Sequence, residues 1–136
     1  MAEETLSLTD AARTKLDRLG LEFLAEVLGF EARERPDNSA ALVSLGMVLT
    51  QLGRYQEGLA IDRRLVELHP EDSTAHYNLG CSLALLGERE SALDALEEAV
   101  RKGYDDAPHL MLDPDLASLH AEPRFQALRQ ALEKRA

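Results

Sequence analysis

The sequence predicts an all-α fold, a short solenoid of antiparallel helix pairs closed by a C-terminal capping helix. Three observations predict it. The 136 residues are 45% hydrophobic but only 4% aromatic, with no Trp, so a core has to be built from Leu, Val and Ala, of which Leu and Ala are strong helix formers. The apolar residues recur at helical spacing, as in the stripe Leu42, Leu45, Leu49 and Leu52. The pattern also repeats every 34 residues: laying 39–72 over 73–106 without a gap gives ten identities. These are Ser39/Ser73, Ala41/Ala75, Leu45/Leu79, Gly46/Gly80, Leu49/Leu83, Leu52/Leu86, Gly53/Gly87, Leu59/Leu93, Val66/Val100 and Asp72/Asp106.

The elements follow in order within a single domain, 1–136. Residues 1–38 read as a degenerate helical pair: Leu8 to Leu19 as a first helix, Gly20 as a break or kink, then a Leu21, Leu24, Leu28 stripe ending at Pro36. Residues 39–72 and 73–106 are the two full units. Asn38 and Asp72 stand just before a helical pattern, where a side-chain oxygen caps orphan amides. Gly53 and Gly87 close the first helix of each unit in a left-handed conformation. The second helices then run over 55–69 and 89–102. Gly46 and Gly80 lie mid-helix opposite Gly58 and Ala92, so small residues face each other where the paired helices approach. Leu45 and Leu79 are expected at equivalent buried positions. Residues 107–136 form the cap, with Pro114 and Pro123 near helix starts and a final stripe of Phe125, Leu128 and Leu132.

This pattern resembles the tetratricopeptide repeat, whose signature is W-x2-L-G-x2-Y, then A-x3-F, then P. The first unit reads Leu42-x2-Leu45-Gly46-x2-Leu49, Gly58-x3-Asp62, Pro70; the second reads His76-x2-Leu79-Gly80-x2-Leu83, Ala92-x3-Leu96, with Tyr104 in place of Pro. Missing Trp, an Asp at the Phe position and the absent second Pro are departures. The resemblance covers residues 39–104.

Charge and motif content exclude several functions. A formal charge of −10 opposes nucleic-acid binding, which draws on cations that displace counterions from phosphates. The acids are spread along the chain and read as solvated helix faces. The longest nearly uncharged stretch, Ser39 to Gly53, is too short to span a bilayer, and the start Met1-Ala2-Glu3-Glu4 lacks the order of a secretory signal. Cytosol is the expected compartment, with no membrane partner. Cys81 is the single cysteine, so no internal disulfide and no C-x-x-C zinc site forms. His69, His76, His109 and His120 have no metal-ligand spacing, and no nucleophile elbow or phosphate loop is present. The expectation is a chain with no metal, no cofactor and no catalysis.

The resemblance implies where function lies. In the family the first helices line a concave groove, and the matching positions are Ala40, Val43, Ser44, Met47, Thr50 and Gln51, then Thr74, Tyr77, Asn78, Cys81, Ala84 and Leu85. None is charged. Val43, Met47, Thr50, Gln51, Thr74, Tyr77, Asn78, Cys81 and Leu85 are the candidate partner-binding residues, with Tyr77 as the anchor, suited to a mostly apolar peptide or helix. The clamp by which some relatives hold a C-terminal carboxylate is not expected, because Val43 and Met47 replace its Lys and Asn and only Asn78 matches. Two other readings stay open: the groove filled by the chain's own ends, through Leu6 and Leu8 or His109 to Leu112, or covered by a second copy in a homodimer.

Overall fold

Short polar side chains cap four of the α-helix starts in this chain, whereas the two helices that follow the tight turns at Gly53 and Gly87 begin with no side-chain cap. The computed structural model describes residues 7–135, and among them are seven α-helices, one 3-10 helix and no strand. The helices are α1 (Asp10–Glu34), α2 (Ser39–Gln51), α3 (Tyr55–Leu68), α4 (Ser73–Leu85), α5 (Arg89–Arg101), α6 (Ala107–Leu112) and α7 (Pro123–Arg135). The 3-10 helix spans Pro114–Leu119 between α6 and α7. Thr9, Asn38, Asp72 and Asp106 each accept a backbone N–H of the following first turn through the side chain. Gly53 and Gly87 take φ of +73° and +78°, the left-handed closure expected of them.

The period extends beyond the two full units. Helices α2, α4 and α6 start at 39, 73 and 107, and α3, α5 and α7 at 55, 89 and 123. The C-terminal cap is therefore placed as a third, altered helix pair. Its first helix is cut to six residues because Asp113-Pro114 removes an N–H donor and starts the 3-10 helix, capped by the Asp113 carboxylate on the Asp115 N–H at 3.0 Å.

The N-terminal helical pair is not formed. One uninterrupted helix, α1, runs from Asp10 to Glu34 through Gly20. A helix-interior glycine costs only about 1 kcal/mol, and the flanking Arg18, Leu19, Leu21 and Glu22 favour helix over a turn. Gly20 is not among the glycines with positive φ. Of the two end segments considered as groove plugs, the N-terminal one has Leu6 outside the described residues and Leu8 ahead of α1, while His109 to Leu112 lie in α6, with the His109 ring 5.5 Å from that of Tyr77.

The core deepens toward the C-terminus. Its main cluster joins α4, α5, α6, the 3-10 helix and α7, with Leu93, Leu96, Leu110, Leu116, Leu119, Phe125 and Leu132 fully buried. Leu45 is buried against α1, whereas Leu79, expected to match it, is only partly covered. Helix α1 buries Ala25 alone, with Leu21, Leu28 and Ala32 partly covered against α2. Arg124 on α7 reaches Glu97, Asp94 and Glu90 of α5 at 2.9, 2.6 and 3.0 Å, tying the last helix to the second full unit.

The close helix approach is sharpest at Gly80. A Cβ there would stand 2.8 Å from Leu96 Cδ2 and 3.3 Å from the Ala92 carbonyl, while at Gly46 the nearest atom would be 3.4 Å away. Gly80→Leu should therefore lose about 1–3 kcal/mol by overpacking, and Gly20→Ala, with nothing within 4 Å, should gain about 1 kcal/mol from helix propensity. Urea denaturation reads both, and a Gly80→Leu chain as stable as wild type would contradict the packing described.

Candidate functional site

Two helices and a returning tail build the site. Val43, Met47, Thr50 and Gln51 from α2, with Asn78, Cys81 and Leu85 from α4, line one cavity of about 310 Å³. Seven of the nine residues singled out in the sequence thus converge. Met47 is 61% exposed and Val43 is also open to solvent, leaving an accessible apolar wall.

The other two do not join it. Thr74 is exposed at the start of α4, outside the cavity lining. Tyr77, expected to be the anchor, is 4% exposed and is covered by the chain's own C-terminal segment. Its ring stacks on Tyr104 at 4.4 Å, lies 5.5 Å from the His109 ring, and its hydroxyl donates to Asp113 Oδ2 at 2.7 Å. Cys81, though on the lining, is buried as well, with its thiol 3.6 Å from Asp113 Oδ2. The physical reason is local: the segment after α5 carries an aromatic ring and a carboxylate that satisfy the apolar face and the polar tip of Tyr77 together. A partner cannot reach that ring, so Tyr77 is withdrawn as the anchor.

The cavity is also not uncharged. Asp62 from α3, and Asp113 and Asp115 from the tail, stand on its wall beside the neutral residues. Asp62 is 7% exposed and makes no salt bridge among the described residues; the Ser82 hydroxyl donates to its Oδ2. Burial outweighs that hydrogen bond and pushes its carboxyl up to about 6. Asp115 is raised too, by burial and then by the neighbouring Asp113. Asp62 lies beside Gly46, where a Cβ would be 3.4 Å from Asp62 Oδ1, an ordinary contact. The sequence carried one signal of this, the Asp at the family's Phe position. Asp113 and Asp115 lay beyond the resemblance and had no register to place them.

Cys81, Asp113 and Asp115 offer ligand-type atoms within 4.8 Å of one another. Burial first, then the two carboxylates, raise the thiol well above its usual range, whereas a metal-binding cysteine acts as the thiolate. Cys81 should accordingly react with an aromatic disulfide reagent at pH 8 only as fast as the fold opens. Rapid labelling of the native chain would contradict the burial described.

A larger cleft, about 930 Å³, runs between α1 and α3 over Leu42, Leu45 and Leu49. Its charged residues sit on the rim, where Arg54 and Glu57 pair at 2.5 Å. The smaller cavity is the better candidate because buried polar groups face it.

Comparison with known proteins agrees with the architecture. Residues 37–102 match a family model described as tetratricopeptide repeat. A chloroplastic protein of Arabidopsis thaliana is 32% identical over 92 residues, which make up 65% of this chain and 28% of that protein. The CTR9 homolog protein of the same plant is 36% identical over 90 residues, 64% of this chain and 8% of that protein. The chain thus spans only a small part of either relative. A solved structure of MamA superposes with a TM-score of 0.64 at 21% identity, over 96% of this chain and 75% of that one. At that identity the likeness is one of fold. No helix among the described residues is long and apolar enough to cross a membrane.

Proposed function

Because the chain belongs, through residues 37–102, to the tetratricopeptide-repeat family, whose repeats generally mediate contacts between proteins, we propose that it is a non-catalytic adaptor holding a segment of a partner protein in the concave cavity between α2 and α4. The segment recognised pairs an apolar side chain with a basic one. The apolar part lies on Val43, Met47 and Leu85, and the basic group meets Asp62 and Asp115. The observation that carries this is Asp62, a buried carboxylate on the cavity wall without an ion pair among the described residues. A buried charge is costly unless paired, and a partner's Lys or Arg would relieve that cost. The three carboxylates also oppose an anionic ligand, in line with the missing carboxylate clamp. Tyr77 and Cys81 serve the scaffold here, holding the tail that brings Asp113 and Asp115 to the wall. A single unbridged cysteine suits a reducing compartment such as the cytosol.

Selection from a displayed random-peptide library tests the reading. Peptides enriched on the wild type should carry Lys or Arg beside apolar residues and should lose binding to Met47→Asp and Asp115→Asn. Enrichment of acidic peptides, or peptides indifferent to both substitutions, would overturn it.

A further inference from the structure

Helix α1 has two apolar faces, and the body of the protein uses one. Leu21, Ala25, Leu28 and Ala32 pack toward α2. Ala12, Leu16, Leu19, Phe23, Val27 and Phe30 recur at the α-helical spacing on the opposite face, half a turn away. All six are exposed, Phe23 at 67%. From Asp10 to Gly20 every residue is exposed, and that half of the helix carries Ala12, Leu16 and Leu19 on the outward face and only Ala11 toward the other. An apolar strip with two phenylalanines is more than the scattered exposure ordinary in a monomer.

We propose that this outward face binds a second copy of itself, forming a two-fold dimer of antiparallel α1 helices. The charge pattern selects this occupant and this orientation. The first half of α1 carries Arg13, Lys15 and Arg18, its acids Asp10 and Asp17 falling in register with the packed Leu21 and Leu28, and the second carries Glu22, Glu26, Glu31 and Glu34 with Arg33 as its one base. In an antiparallel pair with its axis near Leu21, the Ala12, Leu16 and Leu19 positions oppose Phe30, Val27 and Phe23 of the copy. The same register brings Lys15 beside Glu26 of the copy; Arg13 falls beside its Glu31, which is already paired with Arg35 at 2.8 Å and accepts the Asn38 amide. Lys15, Arg13 and Glu26 make no salt bridge within the chain among the described residues, and Glu22 is already paired with Arg18 at 3.2 Å. A parallel pair would set Lys15 against Arg13 and the glutamates against one another, so it is disfavoured. The packed face lies opposite along most of the strip, and at its C-terminal end Glu26 and Phe30 also line the cleft between α1 and α3, so the seam runs beside the body there. Phenylalanine rings cover roughly 150–250 Å² each when buried, so the two strips together remove on the order of 1,000 Å² from water, near the lower bound of a specific interface.

Light scattering after size exclusion, with sedimentation equilibrium of the full chain, tests the proposal. Wild type should be dimeric at about 100 µM, and Phe23→Glu should weaken dimerisation at least tenfold with unchanged helical circular dichroism. Lys15→Glu, at an exposed position, should weaken it as well, and adding Glu26→Lys should restore it. A wild type that is monomeric at that concentration overturns the proposal, as does a dimer indifferent to Phe23→Glu. Lys15→Glu strengthening the dimer would overturn the antiparallel arrangement, since it favours Arg13 across a parallel pair.

Discussion

Truncating Phe125 to Ala should lower the unfolding free energy by about 3–5 kcal/mol. The ring is fully buried in the cluster shared by α4, α5 and the C-terminal elements, and it stacks against His120 at 5.3 Å. Removing it leaves a cavity lined by residues that are themselves fixed, so little of the loss is recovered by relaxation. At roughly 2–4 °C per kcal/mol for a chain near this size, the thermal midpoint should fall by about 10 °C. The effect should not stay local. The 3-10 helix carrying Asp115 belongs to the same packed unit, so protection of the Tyr77 region against hydrogen exchange should fall in parallel. A Phe125→Ala chain melting with the wild type would mean that the C-terminal pair is an appendage, and that the cavity wall it supplies is not fixed.

Replacing Asp62 by Asn should stabilise the chain at neutral pH by up to about 3 kcal/mol, taking 1.36 kcal/mol for each unit between 3.8 and about 6. The folded state holds this proton more tightly than the unfolded chain does, because burial disfavours the carboxylate. Stability tied to Asp62 is therefore fully present below about 4 and is lost as pH rises to about 6, above which the cost is constant. Asn removes the titration and keeps an oxygen that can accept the Ser82 hydroxyl. The difference in urea stability between wild type and Asp62→Asn should thus be small at pH 4 and largest above pH 6. An equal difference at both would show that the carboxyl is not held up by burial. The stability that Asp62 sacrifices at neutral pH fits a group kept for a ligand rather than for the fold.

Much of the scaffold was legible because its signals are local. Asn38 and Asp72 cap through bonds that span three residues or fewer, and Gly53 and Gly87 mark turns that no β-carbon tolerates well. The Gly80 contact was legible by a different route, the repeat itself, which set it opposite Ala92. Gly20 misled for the opposite reason. A glycine permits a turn without demanding one, and nothing in residues 10–17 offers an inward apolar face to fold back. The third helix pair kept its starting positions, 107 and 123, but not its residues, so overlaying identities could not find it. In the cavity, the positions taken from α2 and α4 converge because both helices keep the family register. What the register could not supply was tertiary: Asp62 arrives from the paired helix past Gly46, and Asp113 and Asp115 arrive from a tail with no repeat to align. Those same contacts buried Tyr77 and changed the wall from neutral to acidic.

The acidic cavity is the central claim, and salt tests it most directly. The affinity of a library-selected peptide should be measured by calorimetry at about 50 and 300 mM salt, a range over which exposed charge pairs become strongly screened. Wild type should lose affinity across it, through the partly exposed Asp115 more than through the buried Asp62, and Asp115→Asn should bind weakly already at the lower salt with a flatter dependence. Binding that is insensitive to salt and unchanged by Asp115→Asn would contradict the account, leaving Val43, Met47 and Leu85 as a purely apolar contact.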